Sequence, residues 1–242
     1  MSVAYAILKP SSSFRGESDM LAFIGLAPSD PSLQRILIPA EACAKLHSEF
    51  ILQRKTMFRL GEKEASGMPL LGTLLVHIAD ALEEVDVLKN FKFSTDVEVT
   101  VMETGSRGRN PATDGAIFAE IQVKTPASDL ISPLEPMEPI ILYEYKPKVH
   151  PNIFSVDGRA VVELLIQAYY TFKQYKIKEC ILCLTDMNFS HYIKVNARME
   201  IMWRKSLATT ETAAETMVPT VKILEEHFSF IASAVVTHLI RD

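Results

Sequence analysis

The sequence predicts a mixed α/β (α+β) domain, a central mixed sheet flanked by helices, on three observations. Apolar residues recur every three to four positions in four separate stretches. Between them lie short runs that alternate apolar and polar residues or are continuously aliphatic, the marks of strands. The two patterns interleave as helix, three strands, helix, two strands, with a further helix at the C-terminus.

Residues 1–31 mix Ser, Pro and Gly and read as an irregular arm. From Pro39 to Leu60, Ala42, Leu46, Phe50 and Leu52 keep near a helical period, so residues 1–60 form an N-terminal arm and helix. A second helix is expected over Met68–Val87: Leu70, Leu71, Leu74, Leu75, Ile78 and Leu82 share a stripe, Asp80, Glu83 and Glu84 face away, and Pro69 suits the first turn. Strands follow at Phe93–Met102, Asp114–Val123 and Pro139–Lys146, the last two flanking a connection from Thr125 to Pro139 that holds four prolines. Val156–Tyr175 reads as a helix with Asp157 at its N-cap, and Ile181–Thr185 and His191–Val195 as two more strands around a turn. Residues 61–200 are thus the core, with order αβββαββ, and 201–242 a C-terminal helical extension. There Val221, Leu224, Phe228, Ile231, Val235 and Leu239 form an apolar stripe suited to a core or an interface.

With 242 residues, 48% hydrophobic and 23% charged, the chain can build a sizeable core, and this composition excludes disorder and low-complexity scaffolds. The net charge of −5 gives no global field toward nucleic acid or anionic membranes, so any polyanion must be met by a local patch. Three cysteines cannot form a disulfide framework and point to a reducing intracellular compartment, nucleus or cytoplasm, rather than secretion. The apolar stretches at either end are too short for a signal peptide or a membrane span.

One constellation can do chemistry. Glu144 and Lys146 stand two apart on a strand and so share a face. If that strand pairs antiparallel with the one opening at Asp114, the start of one lies beside the end of the other, and Asp114 meets Glu144. Two carboxylates at one sheet edge suit Mg²⁺ or Mn²⁺, and the adjacent lysine can orient water and offset transition-state charge. Taken alone, an E-x-K triplet is more often a surface ion pair contributing under about 1 kcal/mol. Here it ends Ile140-Ile-Leu-Tyr143, a run expected to be buried on both faces, where ionised groups need a partner or a task.

Pro111-Ala-Thr-Asp114 followed by Glu144-Tyr-Lys146 resembles the bipartite motif of the PD-(D/E)XK, or restriction-endonuclease-like, nuclease superfamily. Its core order of helix, three-strand meander, helix and strand matches that read from about Glu64 to Val195. The resemblance implies Mg²⁺ or Mn²⁺ held by Asp114 and Glu144, Lys146 assisting a water, and Gln167 on the following helix completing the catalytic set by positioning water or phosphate. It also implies an upstream helical glutamate: Glu64 is preferred, and Glu62 and Glu84 compete. Asp114 stands three positions after Pro111 rather than next to it, a departure from the motif. The stretch Glu163–Val195 is similar to nuclease-like domains of crinkler-type proteins. The expected function is a metal-dependent nuclease acting on DNA. The alternative is a catalytically silent nuclease-fold module that binds nucleic acid, a protein partner or a second copy, the last two through the C-terminal helix.

Other signals carry less. Arg107 and Arg109 before Asp114, and Lys148 after the E-x-K strand, are candidate phosphate contacts or solvated loop charges with equal weight. Cys180-Ile-Leu-Cys183 has C-x-x-C spacing, but an odd offset on a strand sends the side chains to opposite faces, so buried thiols are expected rather than a zinc site. None of the six histidines has metal-ligand spacing; His77 belongs to a packed helix. Gly105-Ser-Arg-Gly108 lacks a phosphate-loop pattern and reads as a turn. Lys173, Lys176 and Lys178 close a helix whose dipole favours cations there, and Tyr169 and Tyr170 divide between base stacking and core.

Overall fold

A computed structural model describes residues 33–38, 41, 43–49, 53, 64–100, 112–120, 137–146, 158–187, 189–208 and 221–240. In chain order these give α1 (Glu64–Glu83), a 3₁₀ turn (Asp86–Leu88), β1 (Lys92–Thr100), β2 (Ala112–Glu120) and β3 (Met137–Tyr145). Then come α2 (Gly158–Tyr175), β4 (Glu179–Thr185), β5 (Phe189–Asn196), β6 (Ile201–Ala208) and α3 (Val221–Leu239). Residues 43–49 are also helical, and Cys43 and Leu46 are fully buried.

The six strands form one mixed sheet in sequential order, β1 to β6. Every neighbouring pair is antiparallel except β3 and β4, which run parallel because α2 carries the chain back between them. Parallel strands need cover on both faces. Accordingly, all seven residues of β4 are buried, as are residues 139–145 of β3.

Strand alternation separates two cores. Ile117, Ile141, Tyr143, Ile181, Cys183 and Tyr192 turn toward α1 and α3. Ala116, Leu142, Cys180, Leu182, Leu184 and Ile193 turn toward α2, which adds Val161, Leu164, Leu165 and Ala168. The leucine stripe of α1 is buried as its spacing requires. So are Leu224, Phe228, Ile231 and Val235 of α3, with Val221 and Leu239 packed against the same core, so that stripe is consumed within the chain. α2 ends where Lys176 takes φ 54°, a left-handed conformation that closes helices.

Cys180 and Cys183 are free, buried and on opposite faces, and burial pushes both thiols up, Cys183 to about 12. They are inert packing residues. His77 is likewise buried in α1, with Glu49 2.9 Å from its Nε2.

Two expectations need correction. The stretch 201–242 is not wholly helical: residues 201–208 form β6, so the core order is αβββαβββ before α3. Ile201-Met-Trp-Arg-Lys-Ser lacks clean alternation, and pairing with β5, from Phe189↔Ala208 to Val195↔Ile201, decides its conformation. Second, α1 begins at Glu64 rather than Met68, which puts Pro69 inside the helix. Its first turn, Glu-Ala-Ser-Gly, has no apolar period to betray it.

Gly67 explains how that first turn fits. A Cβ there would overlap the ring of Tyr145, which is itself only 1% exposed, so glycine lets α1 press onto the C-terminal end of β3. Gly67→Ala is expected to lower stability by about 1–3 kcal/mol, because ring displacement outweighs the roughly 1 kcal/mol that alanine gains in a helix. Urea denaturation checks this; an unchanged midpoint would mean that Tyr145 gives way freely.

No helix among the described residues is long and apolar enough to cross a membrane.

Candidate active site

The site forms where β2 begins and β3 ends. Thr113 Oγ1 donates to the Tyr143 carbonyl at 2.5 Å, tying the two strands together at that point. The register pairs Gly115 with Tyr143, and one residue further it sets Asp114 beside Glu144. Asp114 has the parity of Ala116, and Glu144 that of Leu142, so both carboxylates belong to the α2 face. Asp114 is fixed from the backbone: its Oδ2 accepts the Tyr145 N–H at 2.7 Å.

Glu144 is held at both oxygens. Lys146 Nζ lies 2.7 Å from Oε1, and Gln167 Nε2 donates to Oε2 at 2.8 Å. Lys146 is kept in line by its own backbone N–H, which donates to the Thr185 carbonyl at 2.9 Å and continues the parallel pairing beyond the end of β3. Gln167 is buried on α2, and Thr171 Oγ1 donates to its carbonyl at 2.8 Å. The structure therefore gathers Asp114, Glu144, Lys146 and Gln167 in one place.

It adds a residue that the sequence reading did not assign. Glu163 Oε2 lies 3.4 Å from Lys146 Nζ, making the lysine a bridge between β3 and α2. The available signal was spacing: Glu163 and Gln167 are four apart on a helix and so share a face.

Glu144 is buried beside a second carboxylate, Asp114. Burial first, then the neighbouring Asp114 charge, raise the Glu144 carboxyl from 4.5 to about 7; the hydrogen bonds from Lys146 and Gln167 and the Lys146 charge only partly offset this. A buried carboxylate facing another carboxylate gains from a cation placed between them, which is a physical reason to look for one. The donor set fits Mg²⁺ or Mn²⁺, which take one or two carboxylates and fill the remaining positions with water and phosphate oxygens. Among the described residues no group of three or more His, Cys, Asp and Glu side chains gathers as a metal site.

The raised value has a consequence for stability. A carboxyl whose folded value exceeds its unfolded one binds more protons when folded, so stability is lost as pH rises from 4.5 through about 7. The loss is on the order of 3 kcal/mol across that window. Glu144→Gln removes it, so the variant should gain on the native chain as pH rises from about 5 to 7 and then level off. Buried His227, held down to about 4, contributes the opposite slope in both proteins and cancels in the difference. Thermal melts of the two at each pH check this; a pH-independent gap would show that Glu144 is not strained.

Of the other expected residues, Glu64 opens α1 three residues before Gly67, and the Gly67–Tyr145 contact puts that end of the helix at the site end of β3. Glu84 follows α1 at its opposite end, where it lines a pocket with Ile36, Ile38, Val85 and Val236, and so does not reach the carboxylates. Arg107, Arg109, Lys148 and Glu62, with the N-cap Asp157, lie outside the described residues. Tyr169 and Tyr170 pack edge to face at 5.4 Å, and Lys173 Nζ lies 4.3 Å from the Tyr169 ring centroid.

The fold and this cluster define a mixed α/β protein with paired carboxylates and a lysine at the end of a central buried strand. No protein-family model matches the chain, and no curated protein matches it.

Proposed function

We propose that the chain is a metal-dependent nuclease of the restriction-endonuclease-like, PD-(D/E)XK type, hydrolysing phosphodiester bonds in DNA. One observation carries the reading: Asp114 and Glu144 meet on one face, and Lys146, the third member of the motif, reaches Glu144 at 2.7 Å. The order αβββα followed by a strand parallel to β3 agrees with that superfamily's core.

Asp114 and Glu144 would hold Mg²⁺ or Mn²⁺. When bound, the ion polarises a phosphate oxygen and a water. The Tyr145 N–H and Gln167 keep the two carboxylates in place, so little reorganisation precedes reaction. Gln167 contacts Glu144 and would hold that carboxylate in place. Lys146, about a quarter exposed, can present its ammonium to the water and to charge developing on the phosphate.

Of the two features that favour the silent-module alternative, the α3 stripe is spent on the core, while the net charge of −5 stands. A thermal-shift titration separates the two readings. Mn²⁺ should raise the melting temperature of the native chain, by the equivalent of about 2.7 kcal/mol at a hundred times its dissociation constant. Glu144→Ala should abolish the rise. No response in the native protein would refute the nuclease reading.

A further inference from the structure

Lys146 is shared between two carboxylates on different elements, Glu144 Oε1 at 2.7 Å and Glu163 Oε2 at 3.4 Å. The sharing follows from the helix phase. Gln167 bonds the other oxygen of Glu144, fixing the rotation of α2 about its axis, and Glu163, one turn earlier on the same face, is thereby brought to the ammonium. Gln167 donates to Oε2 and Lys146 lies against Oε1, so a cation reaching Glu144 meets a neutral amide at one oxygen and an ammonium at the other. The ammonium and a divalent cation repel each other and compete for the same carboxylate charge. A second acceptor that draws the lysine aside without releasing it from the site relieves that competition.

Building on the nuclease reading, we infer that Glu163 is a positioning residue that takes over the Lys146 ammonium when a divalent cation occupies Glu144. The side chain is suited to this. It is 35% exposed, so it can follow the lysine at little desolvation cost, whereas Glu144 at 7% is locked. No atom of Lys146 need travel far, because the second acceptor is already adjacent.

A double-mutant cycle on the full-length protein, read by Mn²⁺ binding in calorimetry and thermal shift, tests this apart from any activity. Glu163→Gln should weaken Mn²⁺ binding on the order of tenfold, because the lysine then stays on Glu144 and competes. Lys146→Met should bind Mn²⁺ at least as tightly as the native chain. Adding Glu163→Gln to Lys146→Met should change affinity by less than about twofold, since the competing ammonium is gone. Equal weakening in both backgrounds would show that Glu163 acts on the ion by charge alone and overturn the inference, as would no weakening in either. Glu163→Ala repeats the cycle with a shorter side chain and guards against a poorly folded variant. If the native protein binds no Mn²⁺, the nuclease reading falls as well; if it binds and the cycle is additive, only the role of Glu163 falls.

Discussion

On the proposed nuclease reading, Lys146→Met and Asp114→Asn are each expected to reduce Mg²⁺-dependent DNA cleavage by at least about 10³-fold, some 4 kcal/mol of transition-state stabilisation. The two act differently. The side-chain carbonyl introduced by Asp114→Asn can still accept the Tyr145 N–H, so the strand ends stay in place, but half the negative charge that would hold the ion is lost. Lys146→Met leaves the carboxylates and removes the cation nearest to Glu144. Mn²⁺ binding should therefore weaken in Asp114→Asn and persist in Lys146→Met, although both are inactive. Cleavage of a labelled duplex, with melting curves to confirm folding, checks both. Native-like cleavage by either variant would remove that residue from the mechanism.

Glu179→Gln is expected to destabilise the fold by about 3–5 kcal/mol without touching the site. At the opposite end of β4, Glu179 Oε1 lies 2.7 Å from Nζ of Lys194, whose side chain is 1% exposed, and 3.3 Å from His238 Nδ1 on α3. Burial alone would raise the Glu179 carboxyl, yet its close contacts with His238 and Lys194, together with their charges, bring it down to about 2. The carboxylate is thus ionised, and it ties α3 to the sheet. Removing its charge takes from a buried ammonium the carboxylate at 2.7 Å, which costs far more than the pair gains over an apolar replacement. The double change Glu179→Leu with Lys194→Met should accordingly be much less damaging than Glu179→Gln. Urea unfolding at pH 7 gives the answer; a loss under about 1 kcal/mol for Glu179→Gln would mean that water reaches Lys194.

Most of the core was legible because its patterns are periodic. The α1 leucines and the α3 stripe needed only helical spacing, and Ile140–Tyr143 announced a strand buried on both faces. The first turn of α1 and the whole of β6 were not, because their conformations come from neighbours: Tyr145 seats Gly67, and β5 pairs with β6. The site divides the same way. Glu144 and Lys146 share a face by strand geometry, and Asp114 joins them once antiparallel register is assumed. Glu163 stayed hidden, because its contact with Lys146 depends on how α2 is rotated over the sheet. The Glu179, Lys194 and His238 cluster, joining β4, β5 and α3, depends on tertiary packing in the same way.

The most direct test of the carboxylate pair as a metal-binding centre is a crystal soaked in Mn²⁺ and measured at the manganese absorption edge. The expected result is one anomalous peak within about 2.0–2.3 Å of an oxygen of Asp114 and an oxygen of Glu144, with Lys146 drawn toward Glu163. Manganese bound elsewhere, or absent from this pair at concentrations that support cleavage, would contradict it.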